Sequence, residues 1–449
     1  MPAAATDDRP SFAKARRSFA DGTDTPRAFL ERCIETIERR EKDVKAFVFT
    51  HLPNARAAAD AATKRYKNGR PLSIVDGMPV GIKDVFETED MPTQLNSPLF
   101  SGWHTGRDSA HVYVIRRAGA AIVGKTVTSE FAMATPGPTR NPFDSNRTPG
   151  GSSSGSCAAV GADMIPVATG SQVRGSIIRP AGYCNAYALK PTFGALNQQG
   201  GHGVAAPSQC VLGTIATNLE DCWETAFFIS SAAGGDPGYP GLLGRPGLSA
   251  AQKPDRIIRL DTLGWDGTED ETKDAFEAFL RKLQKRGVEI VGRNDDPRIE
   301  ALEQALRTIP GSMLPIFAWE ARWPGWVFRD RGKHLIAQKV LDLIAAGDNM
   351  TIEDYRAALD ARAALGRVFA QTSEIASTWI TLCAQGPAPV GMELGNPVFA
   401  DVSSNLLCPA VALPLLPVGG LPVGVQLLGM PHKDYELVNR CNWLVSAMG

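Results

Sequence analysis

The chain has 449 residues, 43% hydrophobic and 21% charged, the texture of an ordinary globular protein. Its 47 Lys and Arg against 48 Asp and Glu leave a formal charge of -1, which gives no reason to expect nucleic acid or an anionic membrane as partner. A leader with a charged then apolar pattern is missing, as is any run of about 18 apolar residues, so the chain is expected to be cytoplasmic and to have no membrane span.

In chain order, the N-terminal segment 1–70 is expected to be helical. "PRAFLERCIETIERREKDV" repeats apolar residues at helical spacing, and "NARAAADAATKRYKNG" is alanine-rich with a glycine stop. "MPVGIKDVF" (78–86) is short and apolar, as a buried strand running into a loop would be. "SAHVYVIRRAGAAIVGKT" predicts a helix ending near Gly119 and a strand over Ala120–Val123. Residues 156–168 predict a helix of small residues followed by a strand. This alternation predicts a layered α/β core. From about 250 to 375 the text turns to charged amphipathic helices, such as "DETKDAFEAFLRKLQKRG". The tail, "CPAVALPLLPVGGLPVGVQLLG", is strand-like again. No internal repeat or long linker interrupts the chain, which is read as one domain over 1–449.

The 8 cysteines (33, 157, 184, 210, 222, 383, 408 and 441) contain no C-x-x-C pair. They are read as buried reduced thiols rather than a disulfide frame or zinc site. The 6 histidines show no metal-ligand spacing, so neither metal nor cofactor is expected. "GAAIVGKT" (119–126) matches the phosphate-loop pattern G-x-x-x-x-G-K-T. That motif works only when its middle residues form a loop between strand and helix. Ala-Ala-Ile-Val favours being the strand itself, and the preceding segment is helical, so nucleotide binding is not expected.

Three short stretches carry more chemistry: "GIKD" (81–84), "GGSSSGS" (150–156) and "GSQVRGSIIRPAG" (170–182). Together with "NPFDSNRTPGGSSSGSCAAVGA", "ATGSQVRGSIIRPAGYCNAYALKPTFG" and the tail, they resemble the amidase signature family over most of the chain. The resemblance implies that family's fold, a central mixed β-sheet covered by helices on both faces. It also implies a Ser–Ser–Lys triad: Ser176 as nucleophile, Ser152 as the bridging serine after a cis Gly151–Ser152 bond, and Lys83 as base. The serine-glycine run would then be a catalytic loop rather than a linker.

The residues make chemical sense as a triad. A serine hydroxyl needs a base to become a nucleophile, and a lysine desolvated by burial can be neutral near pH 7–8. The turn Val173–Arg174–Gly175–Ser176 would offer its backbone N–H groups as an oxyanion hole. Ser153 and Ser154 are read as loop-shaping, with Ser153 kept as a candidate substrate contact, and Arg179 as a loop anchor. Two departures from the family pattern stand out. Arg174 occupies a usual glycine position and is expected to project toward substrate or solvent. Cys210 stands where an aspartate is usual.

The region 300–375 is expected to vary with substrate and to form a helical access region. It contains "MLPIFAWEARWPGWVFRD" (313–330), from which Trp319 and Trp323 are candidate substrate contacts. If they line a pocket, the substrate is a bulky, apolar or aryl amide. The same triad would attack a carbamate or an ester. The family also includes amidase subunits of tRNA-dependent amidotransferases, and a non-catalytic binding protein on the same fold is a further alternative. The chain is expected to act alone on a small molecule, as a monomer or homodimer.

Overall fold

The computed structural model describes residues 9–201 and 206–448. Of the segment 1–70, residues 1–8 lie outside the described residues. Thirteen strands occur among the described residues, in chain order: β1 (Phe47–Thr50), β2 (Pro79–Lys83), β3 (Ala121–Thr126), β4 (Val167–Gln172), β5 (Tyr187–Lys190), β6 (Val211–Ala216), β7 (Arg256–Arg259), β8 (Glu289–Val291), β9 (Thr378–Leu382), β10 (Ala410–Leu413), β11 (Pro417–Val418), β12 (Leu421–Pro422) and β13 (Val425–Gly429). Eleven form one sheet in the order β1-β3-β2-β4-β6-β5-β10-β13-β9-β7-β8, while β11 and β12 make a small hairpin.

The sheet is mixed. β2 runs parallel to both β3 and β4, whereas β4–β6, β5–β6 and β5–β10 are antiparallel. Every residue of β2, β3 and β4 is buried, and none of the three shows the polar–apolar alternation of a strand with one face in solvent. Side chains alternate between two cores. Val80, Ile82 and Ile122 pack on one face with Trp223 of the helix Leu219–Ala233. Ala121, Val123 and Ala168 pack on the other with the small-residue helix Ser154–Gly161. Helices therefore cover both faces, and the small side chains of 154–161 let that helix sit close to the sheet. No helix among the described residues is long and apolar enough to cross a membrane.

Two local expectations needed correction. The N-terminal segment is not purely helical: β1 interrupts it and joins the sheet edge against β3. The strand-like tail text forms β10 to β13, and the helix Asp434–Met448 follows it. The strand at 120–123 runs on to Thr126, so the Gly-Lys-Thr of the phosphate-loop lookalike is strand. Gly124 is glycine because a Cβ there would lie 2.3 Å from the Phe49 carbonyl oxygen of β1. Lys125 is buried in an ion pair with Asp84 (2.9 Å) and also bonds Thr93 Oγ1 (2.7 Å). All eight cysteines are buried and free.

Candidate active site

Lys83 is the last residue of β2 and is completely buried. Its Nζ donates to Ser152 Oγ at 2.7 Å, Ser171 Oγ at 2.9 Å and the Ser171 carbonyl at 3.2 Å. Burial pushes this lysine down to about 7, against a weak opposing pull from the thiols of Cys210 and Cys157. Cys210 itself is pushed up to about 12 by burial and is a neutral thiol. A carboxylate at that position would hold the Lys83 ammonium charged. With Cys210 there instead, desolvation is the dominant influence on Lys83.

The serine-glycine run is no linker. Residues 150–156 are all buried, and the Gly151–Ser152 bond is cis. Arg179 fixes this loop by donating to the Gly151 carbonyl (2.5 Å) and the Gly395 carbonyl (2.9 Å). Ser153 is fully buried. Its N–H donates to the Ser176 carbonyl at 3.1 Å and its hydroxyl to the Ser171 carbonyl at 3.3 Å. It is not among the residues that line the cavity described below.

Ser176 sits where β4 has ended and the helix Ile178–Tyr183 begins. It is half-buried, unlike Lys83 and Ser152, and lines a cavity of about 420 Å³. Its hydroxyl and that of Ser152 are not hydrogen-bonded to each other; the contact between loop and turn is the Ser153–Ser176 backbone bond. The N–H groups of Arg174, Gly175 and Ser176 donate to no protein atom among the described residues, whereas those of Ile177 and Ile178 both bond Gln172 Oε1 (2.9 and 3.0 Å). Val173, Arg174 and Gly175 line the same cavity as Ser176. Three adjacent N–H groups without a partner among the described residues, beside a half-exposed serine, are the kind of arrangement that can receive an anion.

Arg174 does not point freely into solvent. Its φ is not in the left-handed region, and its guanidinium makes a two-pronged ion pair with buried Asp401, at 3.1 and 2.5 Å. Sequence reading missed Asp401, which lies 227 residues away and carries no local motif.

The cavity wall is apolar: Met133, Leu314, Phe317, Leu343, Leu394 and Pro397. At its rim, exposed Lys339 pairs with exposed Glu393 at 2.8 Å. Leu314 and Phe317 come from the helix Ile309–Gly332, which the sequence had marked. Trp319 and Trp323, however, do not reach this cavity. Trp319 stacks on Tyr355 (5.4 Å, 12°) with the Arg322 guanidinium 3.3 Å from its ring centre, and Trp323 is 71% exposed. Residue 319 is two positions after 317, about 200° around the helix, so the two side chains leave on opposite faces.

Comparisons with known proteins agree with this architecture. The family profile "Amidase" matches residues 28–314. The chain is 29% identical over 464 residues to a glutamyl-tRNA(Gln) amidotransferase subunit of Chloroflexus aggregans, covering 94% of this chain and 93% of the relative. A crystal structure of an amidase superposes with a TM-score of 0.85 at 25% identity, covering 98% of this chain and 100% of that one. A bacterial aryl acylamidase of the amidase signature family superposes with a TM-score of 0.82 at 19% identity, covering 97% and 96%. With more than half of its length matched by the profile, and with this sheet and this serine-glycine loop, the chain belongs to the amidase family, whose enzymes act on carbon–nitrogen bonds.

Proposed function

We propose that this protein hydrolyses the C–N bond of a small amide with an apolar or aryl group, through an acyl-enzyme on Ser176. The observation that carries the reading is the fully buried Lys83, held down to about 7 and donating to Ser152 Oγ at 2.7 Å, beneath a half-exposed Ser176. A neutral lysine amine can accept a proton near neutral pH. In this scheme Lys83 takes the Ser152 proton while Ser152 takes that of Ser176, whose oxygen attacks the amide carbonyl. The tetrahedral oxyanion is met by the N–H groups of the Arg174–Ser176 turn. Ser152 returns a proton to the departing amine, and water then cleaves the ester on Ser176 by the reverse relay. The Ser152–Ser176 hydrogen bond, open here, closes when substrate fills the cavity, since such contacts often tighten only in the complex. The apolar wall supports an apolar or aryl acyl group, and an aryl acylamidase shares the fold.

A second reading is supported by the curated relatives, which are amidotransferase subunits. In that case the chain works only with partner proteins. Carbamates and esters present the same carbonyl to the same site. One experiment sorts these readings. The purified chain is treated with phenylmethylsulfonyl fluoride, weighed intact, and assayed on an anilide and its matched O-alkyl carbamate. A single adduct on wild type, none on Ser176→Ala, and anilide turnover by the chain alone are expected. An adduct without turnover of either substrate favours the partner-dependent reading, and faster carbamate cleavage replaces the amide reading. A folded chain that neither labels nor turns over substrate refutes the acyl-enzyme.

A further inference from the structure

We infer that the short helix Asp401–Asn405 clamps the Arg174–Ser176 turn in its N–H-presenting form, with Ser404 and Asp401 as positioning residues; the inference rests on the function proposed above.

The turn presents a physical problem. Three successive N–H groups that donate to nothing among the described residues belong to residues that line one cavity. An unpaired backbone donor is unfavourable where water is scarce, and the chain relaxes toward any acceptor within reach. Some other contact must fix the neighbouring atoms so that these donors stay free.

Two side chains do this. Gln172, at the end of β4, uses both ends of its amide. Its oxygen takes the N–H groups of Ile177 and Ile178, which lie just past the turn. Its nitrogen donates to Ser404 Oγ at 2.9 Å. Ser404 has one hydroxyl proton, and it goes to the Arg174 carbonyl at 2.5 Å. A closed circuit results, Gln172–Ser404–Arg174, which fixes the peptide plane after Arg174 and so the direction of the Gly175 N–H. The hydroxyl is committed on both sides: one proton given, one accepted.

One turn away on the same helix, Asp401 takes both prongs of the Arg174 guanidinium. Its side chain is 6% exposed, against 31% for Arg174. The pair tethers the Arg174 side chain while Ser404 tethers its backbone. Gly175 closes the packing: a Cβ there would lie 2.9 Å from Pro397 and 3.1 Å from Ala400, at the approach to this helix. Arg174, expected from sequence to project toward substrate or solvent, is thereby a strut of the turn.

The test uses Ser404→Ala, Ser404→Thr, Asp401→Asn and Arg174→Gln in the full chain. Three quantities are read: Tm, hydrogen exchange of the peptide covering 172–179, and kcat and KM on an anilide. In Ser404→Ala the Ile177 and Ile178 amides should exchange at least about tenfold faster. With that, kcat should fall about 10- to 100-fold while KM stays within about twofold, the pattern of a contact felt in the transition state. Ser404→Thr keeps the hydroxyl and should recover most of the loss. Asp401→Asn and Arg174→Gln should show the same split with smaller losses. Should Ser404→Ala fail to fold, the other three variants carry the test. Unchanged exchange overturns the clamp, and faster exchange with unchanged kcat overturns its positioning role. A rise in KM alone for Arg174→Gln returns that residue to substrate binding. Faster exchange in a protein whose wild type has no turnover refutes the proposed function and leaves the clamp standing.

Discussion

The serine loop and its turn (148–179) and the helical wall facing them (309–348) form one cavity by opposite means. In the first, nearly every residue is buried and most polar side chains have partners: Ser152 and Ser171 with Lys83, Arg179 on two carbonyls, Gln172 on two N–H groups. In the second, single side chains leave a long helix in different directions. Leu314 and Phe317 face the cavity while Trp319 and Trp323 face away. Reacting groups need fixed positions in a dry setting, so they are held by backbone and buried hydrogen bonds. An apolar wall needs only shape, and a helix face supplies that while its other face is free to vary.

The sharpest way to break this contrast is at Lys83. Lys83→Met should lower kcat by about a thousandfold, within the range for loss of a general base. In wild type kcat/KM should rise with pH up to about 7 and then level off, because only neutral Lys83 accepts the proton; a profile flat from pH 5 to 9 would falsify the lysine base. Stability responds to the same group. The folded pKa of about 7 lies below the unfolded value near 10.4, so the unfolded chain binds more protons between about 7 and 10. Wild-type stability should therefore climb as pH rises through that window. Lys83→Met should lack this climb, as seen in denaturant titrations at both ends of the window.

On the helical wall a smaller effect is expected, confined to selectivity. Leu314 is 40% exposed, so Leu314→Ala should leave Tm nearly unchanged. It should reduce kcat/KM for bulky aryl amides about tenfold and that for a small acetamide less than about twofold. Equal losses on both substrates would mean that the wall shapes the reacting groups after all. The smallest effect belongs to Trp323→Ala, which should change kcat/KM on any anilide by less than about twofold, because its ring faces solvent on the far side of the same helix. A large loss there would place the substrate path along the outer face.

Much of the site was legible in the sequence because its parts are contiguous. Ser152 and Ser176 stand in dense glycine-serine text, and Lys83 ends a short apolar strand, where a charge is conspicuous. The α/β alternation was legible for the same reason: β2, β3 and β4 are short apolar runs between helical patterns. Other features were hidden by distance. β1 is four residues between two helices, and it becomes a strand only because the β3 edge is there to pair with it. Asp401 and Ser404 sit in the unremarkable text "ADVSSNLL", and nothing local ties them to a turn 227 to 230 residues earlier. The direction taken by each aromatic of 313–330 also escaped a reading by composition, although helical spacing separates Phe317 from Trp319.

By itself the sequence determined the family, the layered fold and which serines and lysine could carry the chemistry, since these follow from local patterns of a few residues. Only the tertiary structure decided that Lys83 is dry and beside Ser152, that three N–H groups of the turn stay free, and that Arg174 is tied to Asp401. Those are contacts between segments distant in the chain, and burial, which sets both a lysine's pKa and the value of a free donor, is a property of the packed molecule rather than of any stretch of text.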